Sequence, residues 1–454
     1  MNRFQRERRF WLKKASMLAG AGATSTFSGL SAIDAFAQDQ DDYRALVCVF
    51  LYGGNDSFNM FVPRTAEPYD WYAQARRNLA VPKERLISVS PTASDGAQYG
   101  FHPSAPELAN LFNGGKLAVV GNVGPLVVPT SREDYQYNRV PLPPRLFSHN
   151  DQQDFWQSLQ SAAPEATGWA GRVADALQAR YISGELSMNI SMAGSNLMQT
   201  GATTIPYNLS PGGVVHPKMS SLLTGYGRLE RRQKAIAALI SNDTGHLLAN
   251  HYRDTMRKSL AVGEELGRVL DSSIGIETGF PGTDLGGAMK MVARMISHRN
   301  TLGLRRQIFF VGFGGWDTHG DQAARHPALL RTLSESLGAF YSATEKLGVS
   351  SKVTTFTAAD FGRTLTTNGD GTDHGWGGHQ IAMGGAVKGN AIYGQMPEIR
   401  IEGPQDSGRG RLIPTTSVDQ YAATLARWYG LPEANMRDVF PNLQNFNQAD
   451  IGFL

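Results

Sequence analysis

Ala45-Leu-Val-Cys-Val-Phe-Leu-Tyr52 is an unbroken apolar run that stops at Gly53-Gly54-Asn55-Asp56. A strand with one face in water would alternate polar and apolar residues. A continuous run instead demands burial on both faces, as in a parallel sheet covered by helices. Comparable runs recur at Lys116–Val123, Gln307–Phe313 and Lys352–Thr357, and a shorter one lies at Gln380–Met383. Between them, helical spacing of apolar residues marks Gly245–Leu270, Gly286–Leu302, Ala323–Leu347 and Val418–Tyr429. Strands alternating with helices predict an α/β fold with a mostly parallel central sheet. Residues from about 184 to 228 break the alternation: they are rich in Gly, Ser, Thr, Asn and Pro and read as an insertion or cap.

The amino terminus reads as an export signal. Paired arginines (Arg8-Arg9) precede Phe10, Leu12 and Lys13, a stretch of small and apolar residues follows, and Ala35-Phe36-Ala37 supplies an A-x-A cleavage site. The twin-arginine form predicts transport of an already folded chain and a periplasmic or extracellular destination, with the export machinery as a partner. Residues 1–37 carry six basic and two acidic residues, so removing this +4 segment takes the chain from +3 to about −1. A mature protein of that charge lacks the electrostatic signature of nucleic-acid binding. The single cysteine, Cys48, excludes an internal disulfide and is expected as a buried strand residue. After the signal no apolar run is long enough to span a membrane, and residues 38–454 are expected as a single domain.

In an open α/β sheet, ligands gather beyond the carboxyl ends of the strands. The polar clusters of this chain fall at those positions: Asp56 after the first strand, Gly314-Gly315-Trp316-Asp317-Thr318-His319 after the third, and Asp360-Phe361-Gly362-Arg363 after the fourth. Ten residues further on comes Asp370-Gly-Thr-Asp-His-Gly-Trp-Gly-Gly-His379. Carboxylates and neutral imidazoles are ordinary ligands for zinc and related divalent ions. An extended backbone sends Asp317 and His319 to the same side. Several gathered carboxylates would repel one another unless a cation is held among them. Each of these loops thus offers an Asp or a His, and Asp317 and His319 could reach one ion. Asp370 has the character of a turn residue. Glycines 53, 54, 314 and 315 permit close approach and positive φ. Trp156, Trp316 and Trp376 flank these motifs and read as core residues or as stacking surfaces for a ring.

The stretches FLYGGNDSFNMFVP (50–63), FSHNDQQDFW (147–156), GGWDTH (314–319) and FGRT…GTDHGWGGHQIAMGGAVKG (361–389) resemble a family of exported bacterial proteins catalogued as a domain of unknown function. The resemblance covers nearly the whole mature chain. That family is in turn similar to the alkaline phosphatase and sulfatase superfamily, which implies a three-layer α/β/α fold and one or two divalent ions. In chain order it implies a metal-binding Asp at Asp56 and a nucleophile at a helix amino terminus, for which Ser148 is best placed. It further implies ligands at Asp317, His319 and Asp360 and a final imidazole at His374 or His379. Phe361 stands where the superfamily has a second His, which puts a second metal in doubt. Arg363 would pair with an oxyanion through its planar fork, or form a salt bridge. Ser148 is equally suited to be a helix N-cap, and the neighbouring His149 and Asp151 are alternatives as ligands or orienting groups.

Two functions follow. One is a metal-dependent hydrolase acting on a phosphate or sulfate ester, of a small molecule or a glycan, by metal-assisted displacement. The other is an exported binding or assembly protein that keeps the fold and a structural ion without turnover.

Overall fold

The computed structural model describes residues 42–454 except 93–95, 161–166, 182–185, 215–237, 239–244, 272–275 and 277–278. The expected signal at 1–37 and the part of the expected insertion from 215 to 228 lie outside these residues. Five strands form the middle of one ten-stranded sheet: β1 (Arg44–Leu51), β2 (Leu117–Gly124), β3 (Arg306–Phe313), β4 (Val353–Ala359) and β5 (Gly378–Gly384). Their order across the sheet is β2-β5-β4-β1-β3. The strand β1 is parallel to both β3 and β4, with Cys48 opposite Phe310 and Phe356 and Leu51 opposite Phe313 and Ala359. These three strands therefore end level, and their following loops leave from one edge.

β5 runs against both its neighbours, pairing Thr354 with Gly384 and Phe356 with Ala382 on β4 and Val123 with Gly378 on β2. That reversal has a functional consequence. It brings the amino end of β5, and the loop before it, to the edge where the parallel strands finish. The described part of the expected insertion continues the sheet beyond β3. Asn189–Ser191 pairs parallel with β3, Tyr207–Ser210 with Asn189–Ser191, and Gly213–Val214 turns back along Tyr207–Ser210.

The unbroken apolar run is explained by two cores. Ala45, Val47, Val49 and Leu51 of β1 point into one, with Met289, Val292 and Ile296 of the helix Asp284–Ser297 and Leu333, Leu337 and Phe340 of the helix Gln322–Lys346. Leu46, Cys48 and Phe50 point into the other, with Ala170, Val173 and Leu177 of Trp169–Tyr181 and Ala422, Leu425 and Ala426 of Val418–Tyr429. Helices on both faces make the protein a three-layer α/β/α structure. Each fully buried aliphatic or aromatic side chain contributes about 1.5–3 kcal/mol. Local signals agree with the tertiary order: Ser417 and Gln420 form a capping box for Val418–Tyr429, and Gly430 closes it with φ 113°. Among the described residues no helix is long and apolar enough to cross a membrane.

Cys48 is completely buried, and burial pushes its thiol well above the usual range. A thiol reagent is expected to leave the native protein unlabelled and to label one cysteine per chain in denaturant, with a midpoint matching the loss of tryptophan fluorescence. Labelling at native fluorescence would show that the helix layer over this strand opens locally.

Candidate metal centre

Glycines set the first loop. Gly53 has φ 110°, and a Cβ there would lie 2.4 Å from the Asp317 nitrogen; Gly54 has φ 86° and would strike the Phe361 ring. This close approach lets Gly53 donate its N–H to Asp360 Oδ2 at 3.1 Å and accept at its carbonyl from Arg363 Nη1 at 3.2 Å. In the loop after β3, Thr318 turns inward to bond Gln322 Oε1 at 3.1 Å, while Asp317 and His319 emerge together with His319 Nε2 3.0 Å from Asp317 Oδ1. The two-residue spacing does what an extended chain requires. The hairpin Arg363–Thr367/Thr372–His374 pairs Arg363 with His374 and adds the third loop. A fourth element, the helix His149–Ser158, presents its first residue.

Four side chains converge: Asp317, His149, His319 and His374. His374 Nε2 lies 2.9 Å from His319 Nε2 and 3.4 Å from Asp317 Oδ1. His149 Nε2 lies 3.5 Å from Asp317 Oδ2, and one ligand atom each from His149, Asp317 and His374 fall within 4.8 Å of one another. The other nitrogen of every ring is engaged. His149 Nδ1 donates to Asp360 Oδ2 at 2.6 Å, His319 Nδ1 to Asp373 Oδ1 at 3.2 Å, and His374 Nδ1 to the Phe147 carbonyl at 2.7 Å. A ring whose Nδ1 carries the donated proton presents a lone pair at Nε2 when neutral. The Nε2 lone pairs of His319 and His374 thus face each other and the Asp317 carboxylate. Acceptors at these distances repel unless a proton or a cation lies among them.

The donor set fits a divalent ion of the zinc type. One ligand atom each from His149, Asp317 and His374 would fill three positions, as in catalytic zinc sites, and ligand atoms around a tetrahedral zinc stand roughly 3.3 Å apart. Imidazoles held through the second nitrogen by carboxylate or carbonyl are the usual outer arrangement of such sites. The centre is open to solvent: the Asp317 side chain is 42% exposed, His319 44% and His149 30%.

Charge is distributed to keep Asp317 ionised. Its partial burial alone would raise the carboxyl pKa, but the hydrogen bond and charge of Arg363 (Nη1 to Oδ1, 2.7 Å), with His319 and His149, hold it below the usual range. The hydrogen bond to Asp360 raises the pKa of His149, and burial lowers that of His374. Phe147, whose carbonyl holds His374, has φ 73°, a costly backbone state for a side chain of that size. The same residue immediately precedes the N-cap of the helix that presents His149.

The expected residues separate into two groups. Asp317, His319 and His374 meet at the centre. Asp56, expected as a ligand, is buried elsewhere: Arg76 Nη2 donates to its Oδ1 and Gln322 Nε2 to its Oδ2, each at 2.5 Å. Asp360 lies behind the centre, where Oδ2 accepts from Gly53, His149 and Gln153, so it orients His149. His379 is in the core, accepting at Nδ1 from the Asn122 N–H at 3.1 Å and packing edge-on against Phe58 and Phe61. Strand alternation explains its position, because on β5 it shares a face with Ile381 and Met383, both in the Met289–Leu337 core.

Arg363, expected to present its fork to an oxyanion, is fully buried and committed to Asp317, Gly53 and the hydroxyl and carbonyl of Thr372. Ser148 is the N-cap residue, and its hydroxyl donates to Asp151 Oδ2 at 2.6 Å. Phe361, in place of a second His, walls two imidazoles with ring centroids 4.8 Å from His149 and 4.6 Å from His374. His149 was the residue least secured by sequence, offered only as an alternative beside Ser148. Its signal was a histidine at the first position of a helix, next to a run shared with the family.

Fold and site together describe an α/β/α protein with a histidine–aspartate cluster at the carboxyl edge of its sheet. Residues 43–439 match the family described as a protein of unknown function, DUF1501, and the chain belongs to it. No curated protein matches the sequence. Similar solved structures include Ps i-CgsB, with 9% identity, TM-score 0.35, and coverage of 89% of this chain and 77% of that one. Others are the lipoteichoic acid synthase LtaP from Listeria monocytogenes (8%, 0.33, 90% and 79%) and the PsFucS1 sulfatase from Pseudoalteromonas sp. (9%, 0.34, 89% and 70%). Likeness at this level assigns neither substrate nor residue roles.

Burial lowers the pKa of His379 to about 3, well below its value in an unfolded chain. The folded state then binds fewer protons than the unfolded state, so stability is complete above about pH 6.5 and is lost as pH falls toward 3, by up to ~1.4 kcal/mol per pH unit. His379→Asn keeps an acceptor for the Asn122 N–H and removes the titration. Urea unfolding at pH 7.5 and pH 5 should show a gap about one proton smaller for the variant. An unchanged gap would mean that His379 is protonated in the fold.

Proposed function

We propose that this chain is an exported metal-dependent hydrolase acting on a phosphate or sulfate ester, with one divalent ion held by His149, Asp317 and His374 and with His319 beside it. The observation that carries the reading is the convergence of Nε2 atoms and a carboxylate at an open site, with every Nδ1 already bonded to an oxygen. Structural zinc sites are closed, whereas catalytic ones keep a position for water or substrate. When bound, such an ion polarises an ester oxygen and makes a hydroxyl or water more acidic.

The chain's own groups take defined parts. Asp360, Asp373 and the Phe147 carbonyl hold the three rings in one tautomer and one orientation. Arg363 keeps Asp317 charged and in place. Phe361 closes one side and keeps water from the edges of His149 and His374. Ser148 is the candidate nucleophile, and Asp151, which already accepts its hydroxyl hydrogen bond, is the group positioned to take that proton.

The second reading, a binding protein without turnover, is favoured by one observation: neither Ser148 nor Arg363 is uncommitted, since each already bonds within the protein. The two readings part experimentally. Protein isolated after export is expected to carry about one divalent ion per chain, and His149→Ala and Asp317→Ala to carry less than a tenth of that. Aryl phosphate or aryl sulfate hydrolysis should fall at least a hundredfold in both variants and in Ser148→Ala. Metal at full occupancy with every ester assay blank would establish the binding reading. Full occupancy in Asp317→Ala would overturn the centre itself.

Export is proposed to run through Arg8 and Arg9. Arg8→Lys together with Arg9→Lys should leave the protein in the cytoplasmic fraction at full length, and undiminished export of the double variant would exclude the twin-arginine route.

A further inference from the structure

A second concavity lies apart from the four metal-site side chains. It has a volume of about 520 Å³, and Trp71, Gln74, Arg77, Thr366, Arg400 and Glu402 are among its lining residues. This is within the size range of pockets that take a ligand of one or two sugar units. Its lining mixes polar and apolar surface and carries two guanidinium groups. Arg400 lies over the Trp71 ring at 5.3 Å and pairs through Nε with Glu398 Oε1 at 2.5 Å. Arg77 forms no ion pair among the described residues and stands with φ 50° at the end of the helix Ala66–Arg76. Glu402, across the concavity, has φ 60°.

The concavity is joined to the metal centre by a strand. Arg363 bonds Asp317 from one end of Arg363–Thr367, and Thr366 reaches the lining at the other. Three residues of strand span about 10 Å. Units of a polymer that are adjacent, or one apart, are spaced on that scale, so a chain with one ester at the metal centre would carry a neighbouring unit to the two arginines. Guanidinium groups bind sulfate and phosphate through paired N–H donors, while Gln74 and Glu402 offer partners for sugar hydroxyls. The mature chain has a net charge near −1, so any polyanion retained here is held by local contacts and not by overall attraction.

We propose that this concavity is a subsite for a charged sugar residue, and that the substrate is a sulfated or phosphorylated oligosaccharide engaging it at a distance from the reacting ester. This rests on the ester-hydrolase reading for its link to the metal centre, but binding at the subsite is measured without turnover.

The test uses the mature protein with two probes, a chondroitin sulfate tetrasaccharide and a phosphorylated tetrasaccharide, and their uncharged counterparts, read by calorimetry and tryptophan fluorescence. At least one charged probe is expected to bind, with affinity reduced tenfold or more in Arg77→Ala/Arg400→Ala and largely kept in Arg77→Lys/Arg400→Lys. Metal content, thermal unfolding and hydrolysis of a small aryl ester should be unchanged in both double variants. Binding by neither charged probe, equal binding of an uncharged counterpart, or a change of less than twofold in the alanine variant would each overturn the subsite. Arginine-dependent binding in a protein that hydrolyses no ester would leave the subsite standing and overturn the hydrolase reading alone.

Discussion

The centre depends on how its imidazoles are tied. Each of His149, His319 and His374 gives its Nδ1 proton to a fixed oxygen, so each must present Nε2 to the same small volume. The three oxygens come from different places: a buried carboxylate beyond β4, an exposed carboxylate in the hairpin, and a main-chain carbonyl just before the helix His149–Ser158. No single loop could impose this arrangement. It needs several elements held to within a few tenths of an ångström, and the sheet edge provides that.

Arg363 joins these elements. Its guanidinium is fully buried and bonds Gly53 in the loop after β1, Asp317 in the loop after β3 and Thr372 in the hairpin. A buried cation is tolerated only while its partners remain. The arginine therefore places the ligand carboxylate instead of waiting for an anion from solution. Beneath it, Gln322 accepts from Thr318 and Thr372 while donating to Asp56, whose other oxygen is bonded to Arg76. The Asp56 carboxylate is thus answered by a guanidinium.

Much of the architecture was legible. Runs such as Ala45–Tyr52 and Gln307–Phe313 are apolar on both faces because the strands are covered on both faces. Helix positions followed from spacing and capping, as at Val418–Tyr429. The edge carrying the site followed from where the parallel strands stop. The direction of β5 did not, since a short apolar run has no polarity that periodicity can read. Yet that reversal is what delivers His374 to the centre.

Which side chains meet was legible only where the contact is local. Asp317 and His319 meet because residues two apart in an extended chain share a side, a property of the backbone alone. Between His374 and His379, strand alternation placed His379 with Ile381 and Met383 in the core, but only once β5 had been given two buried faces. Asp56, Asp360 and Arg363 lie in the loops at this edge, where they bond Arg76, His149 and Asp317 respectively. Whether a carboxylate binds an ion, orients an imidazole or neutralises an arginine is decided by which group lies opposite it. Arg76 lies 20 residues from Asp56 and Asp360 lies 211 from His149. Hydrophobic period, a property of neighbouring residues, was thus enough to determine the layers and the edge. The partner of each charge was decided by tertiary structure alone, because electrostatic pairing acts through space between residues that the chain does not keep together.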